Sequence, residues 1–455
     1  MLVTIKSAIL KGREFTPVNV ETTITSGIGI HLVGLADVKT KESLFRTVTA
    51  LQSLGYSVPG KKIVINVIPS DLYKKFGSGL DLAIALGIIY ASEQAPMPES
   101  IANTLVCGEL GLDGSIRPVA GGLILAEHAL AEGKSVVMPH GMALEAVPFG
   151  GEHKYSISVA ENLKDALSIL EGARPGDKYD FYNVCEGDFN DFCKRMETKA
   201  PLSYFEGLPE AEQRAVMIAA AGGFDVTVVG EKDDESCGRR IARAFRELLP
   251  TRNGADVIET AKNYSAMGRA YDAATQGVPF RDINPYASPM DTVNEVMLAH
   301  GGVLLAEDIL STPKRVREVL IVNHHPAQSA LVMSMHKDGQ VAPDVRDAVL
   351  KSVQIFSHAG MLPGSMTLAE ARDKVLSARG AGAEVSRLTP VQACEAVGED
   401  NLDTIGQFAW RLGISAQCTS PIARIALAIA RLDGSKGVSN VHVAEACSYK
   451  FICKA

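Results

Sequence analysis

Two adjacent carboxylates, Glu307-Asp308, follow the apolar run Gly302-Val303-Leu304-Leu305-Ala306. Acids at the end of a buried strand are where phosphoryl transfer holds a magnesium ion and its attacking water. That chemistry also needs a turn between a strand and a helix, whose backbone N–H groups and helix dipole face the phosphates. Residues 224–229 form a short apolar, β-branched run ended by Gly230, after which Ile241, Ala242, Phe245, Leu248 and Leu249 recur at helical spacing. The turn between them departs from the pattern G-x-x-x-x-G-K-[ST]. Counted from Gly230, Ser236 stands in the lysine position; counted back from Leu248-Leu249-Pro250, Gly238 or Arg239 does. The candidate phosphate contacts are therefore Gly230, Lys232, Ser236, Gly238, Arg239 and Arg240. The turn also carries Asp233, Asp234 and Glu235. Like charges ~4 Å apart near a surface repel by about 4 kcal/mol, so these acids oppose a polyphosphate. An ordinary strand–loop–helix unit of an α/β domain accounts for the local pattern equally well.

Other residues invite chemistry too. Lys74-Lys75-Phe76-Gly77-Ser78-Gly79 sets a serine between glycines, and Arg117-Pro118-Val119-Ala120-Gly121-Gly122 is a polar loop before a helix. Glu307 and Asp308 sit at strand-end spacing for a weak metal site; solvated carboxylates capping the next helix with Thr312-Pro313 are the other reading. His324-His325 reads as a polar loop pair, because spacing places no third ligand. Arg239, Arg240, Arg243 and Arg246 give one helix a basic face, the mark of a solvated or subunit-facing surface.

The elements that must position these groups fall into stretches. Strands are expected at 18–23, 29–33, 61–68 and 135–138, with an amphipathic helix at 38–54 and a buried one at 81–92. Asp113-Gly114 marks a hairpin turn, and a helix is expected at 122–132. Residues 165–200 look linker-like and acidic, carrying Asp177, Asp180, Glu186, Asp188 and Asp191. Helices then follow at 208–221 and 255–267, a loop at 277–289, and strands at 302–306 and 330–335, the last ending at His336. A helix at 366–378 leads into a Gly/Ala-rich linker at 379–384 and a three-helix set at 400–412, 421–432 and 441–449.

Bulk composition narrows the class. The chain has 455 residues, room for two to four domains. A net charge of −8 argues against a wholly basic nucleic-acid binder. No apolar run approaches the ~18 residues of a membrane helix, and the N-terminus lacks a signal peptide's charged start and apolar core. The eight cysteines include no C-x-x-C pair, so reduced thiols and a cytoplasmic setting are expected.

The stretch Gly108-Glu109-Leu110-Gly111-Leu112-Asp113-Gly114-Ser115-Ile116-Arg117-Pro118-Val119 resembles the Lon-protease-like, ribosomal-protein-S5-domain-2 fold. The serine of that fold's peptidases falls on Gly77, with Ser78 one residue off, and their lysine falls on Ile124. Isoleucine cannot serve as a base for a hydroxyl, so no protease is expected. From about residue 10 to the C-terminus the chain resembles the Mg-chelatase-like AAA+ proteins of the ComM (YifB) type. The stretches that carry this are Leu32-Val33-Gly34-Leu35-Ala36-Asp37, Ile218-Ala219-Ala220-Ala221-Gly222-Gly223, Pro279-Phe280-Arg281, Leu298-Ala299-His300-Gly301-Gly302-Val303-Leu304 and Ala430-Arg431-Leu432-Asp433-Gly434-Ser435.

The resemblance implies an α/β multidomain chain: a Lon-like α+β domain at 1–165, an acidic linker at 166–200, an αβα P-loop AAA+ core at 201–360 and a C-terminal helical lid at 361–455. It implies ATP and Mg2+, ring-shaped homo-oligomers and a link to DNA; that no membrane is a partner is expected from the lack of a long apolar run. The departures fall on the chemistry. The Walker A lysine and threonine have no clear equivalents, and the Walker B pair reads Glu307-Asp308. The sensor position falls on His336. The lid arginines fall on Gln417 and Pro421, with Arg424 nearby, and the paired histidines after Pro-Phe-Arg fall on Asn284 and Pro285. The expectation is an assembly or binding protein with a degenerate nucleotide site, linked to DNA processing. The alternative is an active DNA branch-migration motor in which Lys232, Arg239 or Arg240 replaces the lysine.

Overall fold

Short β-branched runs with apolar residues on both faces require cover from two sides, and this requirement shapes the second half of the chain. In the computed structural model, the described residues are all but 34–37, 70–78, 147–155, 173–202, 232–236, 251, 253, 272–276, 338, 358–360 and 454–455. The chain divides into two units, Met1–Glu197 with Val257–Thr275, and Thr198–Asp256 with Gln276–Ala455.

The first unit opens with β1 (Leu2–Lys11), β2 (Glu14–Thr25) and β3 (Gly29–Val33), followed by α1 (Val38–Ser53), β4 (Lys62–Ile68) and α2 (Asp81–Ala91). The strands form a sheet in the order β1-β2-β4-β3, antiparallel except for the parallel pair β3–β4. Every residue of α2 is buried, as expected for a helix apolar all round. A second, parallel sheet joins β5 (Thr104–Val106), β8 (Ser135–Met138) and β9 (Ile157–Val159). Between β5 and β8 lie the hairpin β6 (Glu109–Leu110) and β7 (Ile116–Arg117), then α3 (Gly122–Ala131). The hairpin turn is the expected Asp-Gly. Asp113 Oδ1 accepts from Ser115 N at 3.0 Å, and Gly114 takes φ +84° with Leu54 packed where a Cβ would stand. Then come α4 (His140–Ala146) and α5 (Leu163–Leu170).

The second unit is a three-layer sandwich. It contains α6 (Glu210–Gly222), β10 (Val226–Gly230), α7 (Cys237–Leu248) and the start of α8 (Gly254–Ala266), whose remainder belongs to the first unit. Then follow β11 (Phe280–Asp282), α9 (Pro289–Leu298), β12 (Val303–Ala306), α10 (Lys314–Asn323), β13 (Ala330–His336), α11 (Pro343–Lys351) and β14 (Val353–Phe356). All five strands are parallel, in the order β11-β12-β13-β10-β14. Alternation divides the side chains between two cores. Val226, Val228, Val303, Leu305 and Val332 face the core that includes α6 and α7. Val229, Leu304, Leu331, Met333 and Met335 face a core completed from α9, α10 and α11.

The C-terminal helices α12 (Leu368–Gly380), α13 (Pro390–Val397), α14 (Glu399–Leu412), α15 (Thr419–Leu432) and α16 (Asn440–Ser448) share the first of these cores. They include the expected three-helix set, and Ser439 caps α16 with a capping box completed by His442.

Two readings from the sequence need correction. The stretch 277–289 is not all loop: Phe280–Asp282 adds an edge strand beside β12, and Ile283 N donates to Leu305 O at 2.8 Å. The stretch 379–384 is not a linker. Arg379 Nε donates to Ala220 O at 2.7 Å, Glu384 packs against Gly223, and Val385 is buried beyond it. The basic face of α7 is partly exposed, but its arginines are engaged within the chain. Arg239 binds Asp282 and Glu307, Arg240 binds Ser357, Arg243 stacks on Tyr204 with its carbon 5.0 Å from the ring centroid, and Arg246 donates to Val278 O. The acidic stretch at 173–202 and the Ser78 motif lie outside the described residues, whereas Ile124 is buried in α3.

Candidate nucleotide site

The C-terminal ends of parallel strands are where open α/β sheets bind ligands, and here β10, β12 and β13 end around one cavity of about 230 Å3. It is lined by Gly230, Glu231, Cys237, Glu307, Asp308, Ser334, Met335 and His336. Strand register sets Gly230 directly beside His336, and Lys337 N donates to Gly230 O at 3.3 Å. Glu307 and Asp308 leave β12 in a turn that β13 ties down. Asp308 N donates to Ser334 Oγ at 3.0 Å, and Ile309 N to Ser334 O at 2.9 Å. Asp308 has φ +43°, a conformation uncommon for residues other than glycine and costing of order 1–3 kcal/mol. The next helix, α10, has Pro313 at its N-cap and no side-chain cap bond, so neither Glu307 nor Asp308 caps it.

Arg239 reaches this end of the sheet from the first turn of α7. Its guanidinium donates to Glu307 Oε2 at 3.0 Å and also to Asp282 Oδ2. The Glu307 bond, then the Asp282 bond, holds its pKa above the ordinary arginine value. Gly238 has a packing reason: a Cβ there would stand 2.7 Å from Ser334 Cβ, so α7 meets β13 at backbone range.

The other sequence-nominated residues divide. Lys232 and Ser236, with Asp233, Asp234 and Glu235, lie outside the described residues. Arg240 turns to the far side of β10, where Nη2 donates to Ser357 Oγ at 2.9 Å; Ser357 Oγ in turn donates to the buried Glu212 at 2.8 Å. Arg424 sits on α15, and its Nε is buried with no hydrogen-bond partner among the described residues. Burial holds its guanidinium below the usual pKa, and Arg424 is not among the residues lining the cavity. Gly230, Glu307, Asp308 and His336 are thus brought together, with Arg239 bound to Glu307. Sequence reasoning missed Ser334 and Cys237. Neither carries a local signal, since a serine and a cysteine in apolar runs read as small core residues.

Residues 20–142 match the family model described as subunit ChlI of Mg-chelatase, and residues 204–342 match the model described as magnesium chelatase, subunit ChlI. The chain belongs to the Mg-chelatase-like family of the ComM and YifB type. Among similar family members, the uncharacterized protein YifB of Salmonella typhimurium is 28% identical over 319 residues, covering 68% of this chain and 60% of YifB. The competence protein ComM of Haemophilus influenzae is 24% identical, covering 95% of this chain and 94% of ComM. A shorter match, 29% identical over 122 residues, is to the DNA repair protein RadA of the same organism, 26% of this chain and 24% of RadA. The chain thus spans about 60% of the length of the YifB proteins it matches. Its mixed α/β fold with parallel sheets suits this Mg-chelatase-like family, and no helix among the described residues is long and apolar enough to cross a membrane.

Proposed function

We propose that this chain is a Mg-chelatase-family AAA+ protein linked to DNA processing, acting as an assembly or binding protein with weak or lost ATP turnover. The observation that carries the reading is the guanidinium of Arg239 on Glu307. A fixed cation on that carboxylate takes the charge that a magnesium ion would otherwise neutralise, and phosphoryl transfer depends almost wholly on such charge placement. On this reading a magnesium–triphosphate is poorly matched to the charges at this strand end. The loop acids Asp233, Asp234 and Glu235 add to the mismatch in sequence.

The link to DNA rests on the competence and DNA-repair proteins that the chain is similar to. We read the first unit as the Lon-like module without its serine–lysine pair, the C-terminal helices as a lid, and the working form as a homo-oligomeric ring. A cytoplasmic setting is part of this reading and agrees with the reduced thiols of Cys107, Cys394 and Cys447.

ATP turnover by the purified chain tests this reading. The expected rate is far below the roughly one per second ordinary for phosphoryl transfer, unchanged by Glu307→Ala or Asp308→Ala. Turnover near one per second that both substitutions abolish would instead establish a working motor with a non-standard loop.

A further inference from the structure

Three side chains that the phosphate end does not use converge at the opposite end of the parallel sheet. Asp225 stands at the entry to β10, and His324-His325 follows α10. Asp225 Oδ2 lies 3.0 Å from His324 Nε2 and 4.0 Å from His325 Nε2. One candidate ligand atom from each of the three falls within 4.8 Å of the others. Spacing in the sequence places no third group beside this histidine pair; the fold brings Asp225 to it from 99 residues away.

A second observation concerns how these groups are held. His324 is 1% exposed, and its Nδ1 lies 3.2 Å from the carbonyl oxygen of Leu320. A carbonyl only accepts, so that contact places a ring proton on Nδ1. Nε2 meets the carboxylate oxygen across 3.0 Å, a gap that either a second ring proton or, with the ring neutral, a metal ion bridges. Metal-bound imidazoles are oriented in this way, one nitrogen donating to a backbone carbonyl and the other binding the ion. Asp225 is fixed likewise, since its Oδ1 accepts from Leu331 N at 2.9 Å.

We propose that Asp225, His324 and His325 form a binding site for a divalent transition-metal ion of the zinc class. Two imidazoles and a carboxylate leave the fourth tetrahedral position to water, and metal–ligand bonds of about 2.0–2.2 Å set ligand atoms roughly 3.0–3.5 Å apart. The Asp225–His324 pair already has that spacing. The side chain of His325, 70% exposed, is the one that swings inward. Asp225 and His325 line a cavity of about 700 Å3 that gives an ion access. The nitrogen ligands select against Mg2+ and Ca2+, which prefer oxygen. Five strand residues at about 3.3 Å each separate this end from Gly230 by roughly 17 Å, so the site is independent of the nucleotide reading. A bound ion would pin the turn after α10 to the start of β10.

The test is zinc titration of the metal-stripped full chain against a chromophoric chelator, comparing the unsubstituted protein with His325→Ala. The exposed position of His325 lets that variant fold, which circular dichroism verifies. The unsubstituted protein is expected to take up one more zinc equivalent than His325→Ala, or to bind it at least tenfold more tightly, and to gain a zinc-dependent rise in melting temperature that the variant lacks. Asp225→Asn is expected to lose the same equivalent. Equal stoichiometry and affinity in the unsubstituted protein and His325→Ala, or no zinc bound by either, would overturn the proposal.

Discussion

Glu145, buried in α4, holds its carboxylate against the first turn of α3 and accepts from the hydroxyl of Ser265. Burial pushes its pKa from 4.5 up to about 7, against the opposing pull of Ser265 and the backbone of Leu123 and Gly122. The folded chain thus keeps a proton that the unfolded chain releases. The stability this contributes is complete below pH 4.5 and is lost as the pH rises to about 7. Its upper size is roughly 3 kcal/mol. Glu145→Gln is expected to flatten that part of the pH dependence, read from urea midpoints across the same range. Arg239 gives a contrasting case, because its carboxylate partners are more than a third exposed. Arg239→Ala is expected to change stability by less than about 1 kcal/mol. If the guanidinium competes with magnesium at Glu307, the same substitution raises the affinity for Mg2+–ATP, measured with a fluorescent nucleotide. An unchanged affinity would show that the pair does not govern binding.

Helix α7 depends on close approach as much as on apolar burial. Gly238→Ala drives a methyl group to 2.7 Å from Ser334 Cβ, and overpacking of this kind costs about 1–3 kcal/mol. Circular dichroism melts of that variant measure the cost. Elements with strong periodicity were legible in the sequence: the runs 302–306 and 330–335 lie within a residue of β12 and β13. Strand β11 was not, because its edge residues, the half-exposed Phe280 and Arg281 and the exposed Asp282, carry no alternation. Gly230, Glu307, Asp308 and His336 could be named because each ends an apolar run. The bond from Arg239 to Glu307 could not, because it joins residues 68 apart whose meeting depends on strand order. Asp225 reads as a turn residue before a strand, and nothing local relates it to His324.

The two units have separate apolar cores, one around α2 and its sheet, the others on the two faces of the parallel sheet. Heating is therefore expected to resolve two transitions. Phe245→Ala, which empties a fully buried site on α7, should lower one of them by the equivalent of about 3–5 kcal/mol and leave the other in place. Calorimetry on the full chain checks this, and a single transition that shifts as a whole would refute it. The first unit also draws on a late segment: Gly121 N donates to Ser265 O at 2.7 Å, Leu123 N to Ser265 Oγ at 3.1 Å, and Lys262 pairs with Glu127 at 2.7 Å. During synthesis, Glu145 can meet the amides of Gly122 and Leu123 early, but the bond from Gly121 N and the hydroxyl bond to Glu145 are completed only once residues more than a hundred positions downstream have been delivered. A fragment cut near residue 200 would hold that half permanently at this unfinished stage, a natural client for chaperones.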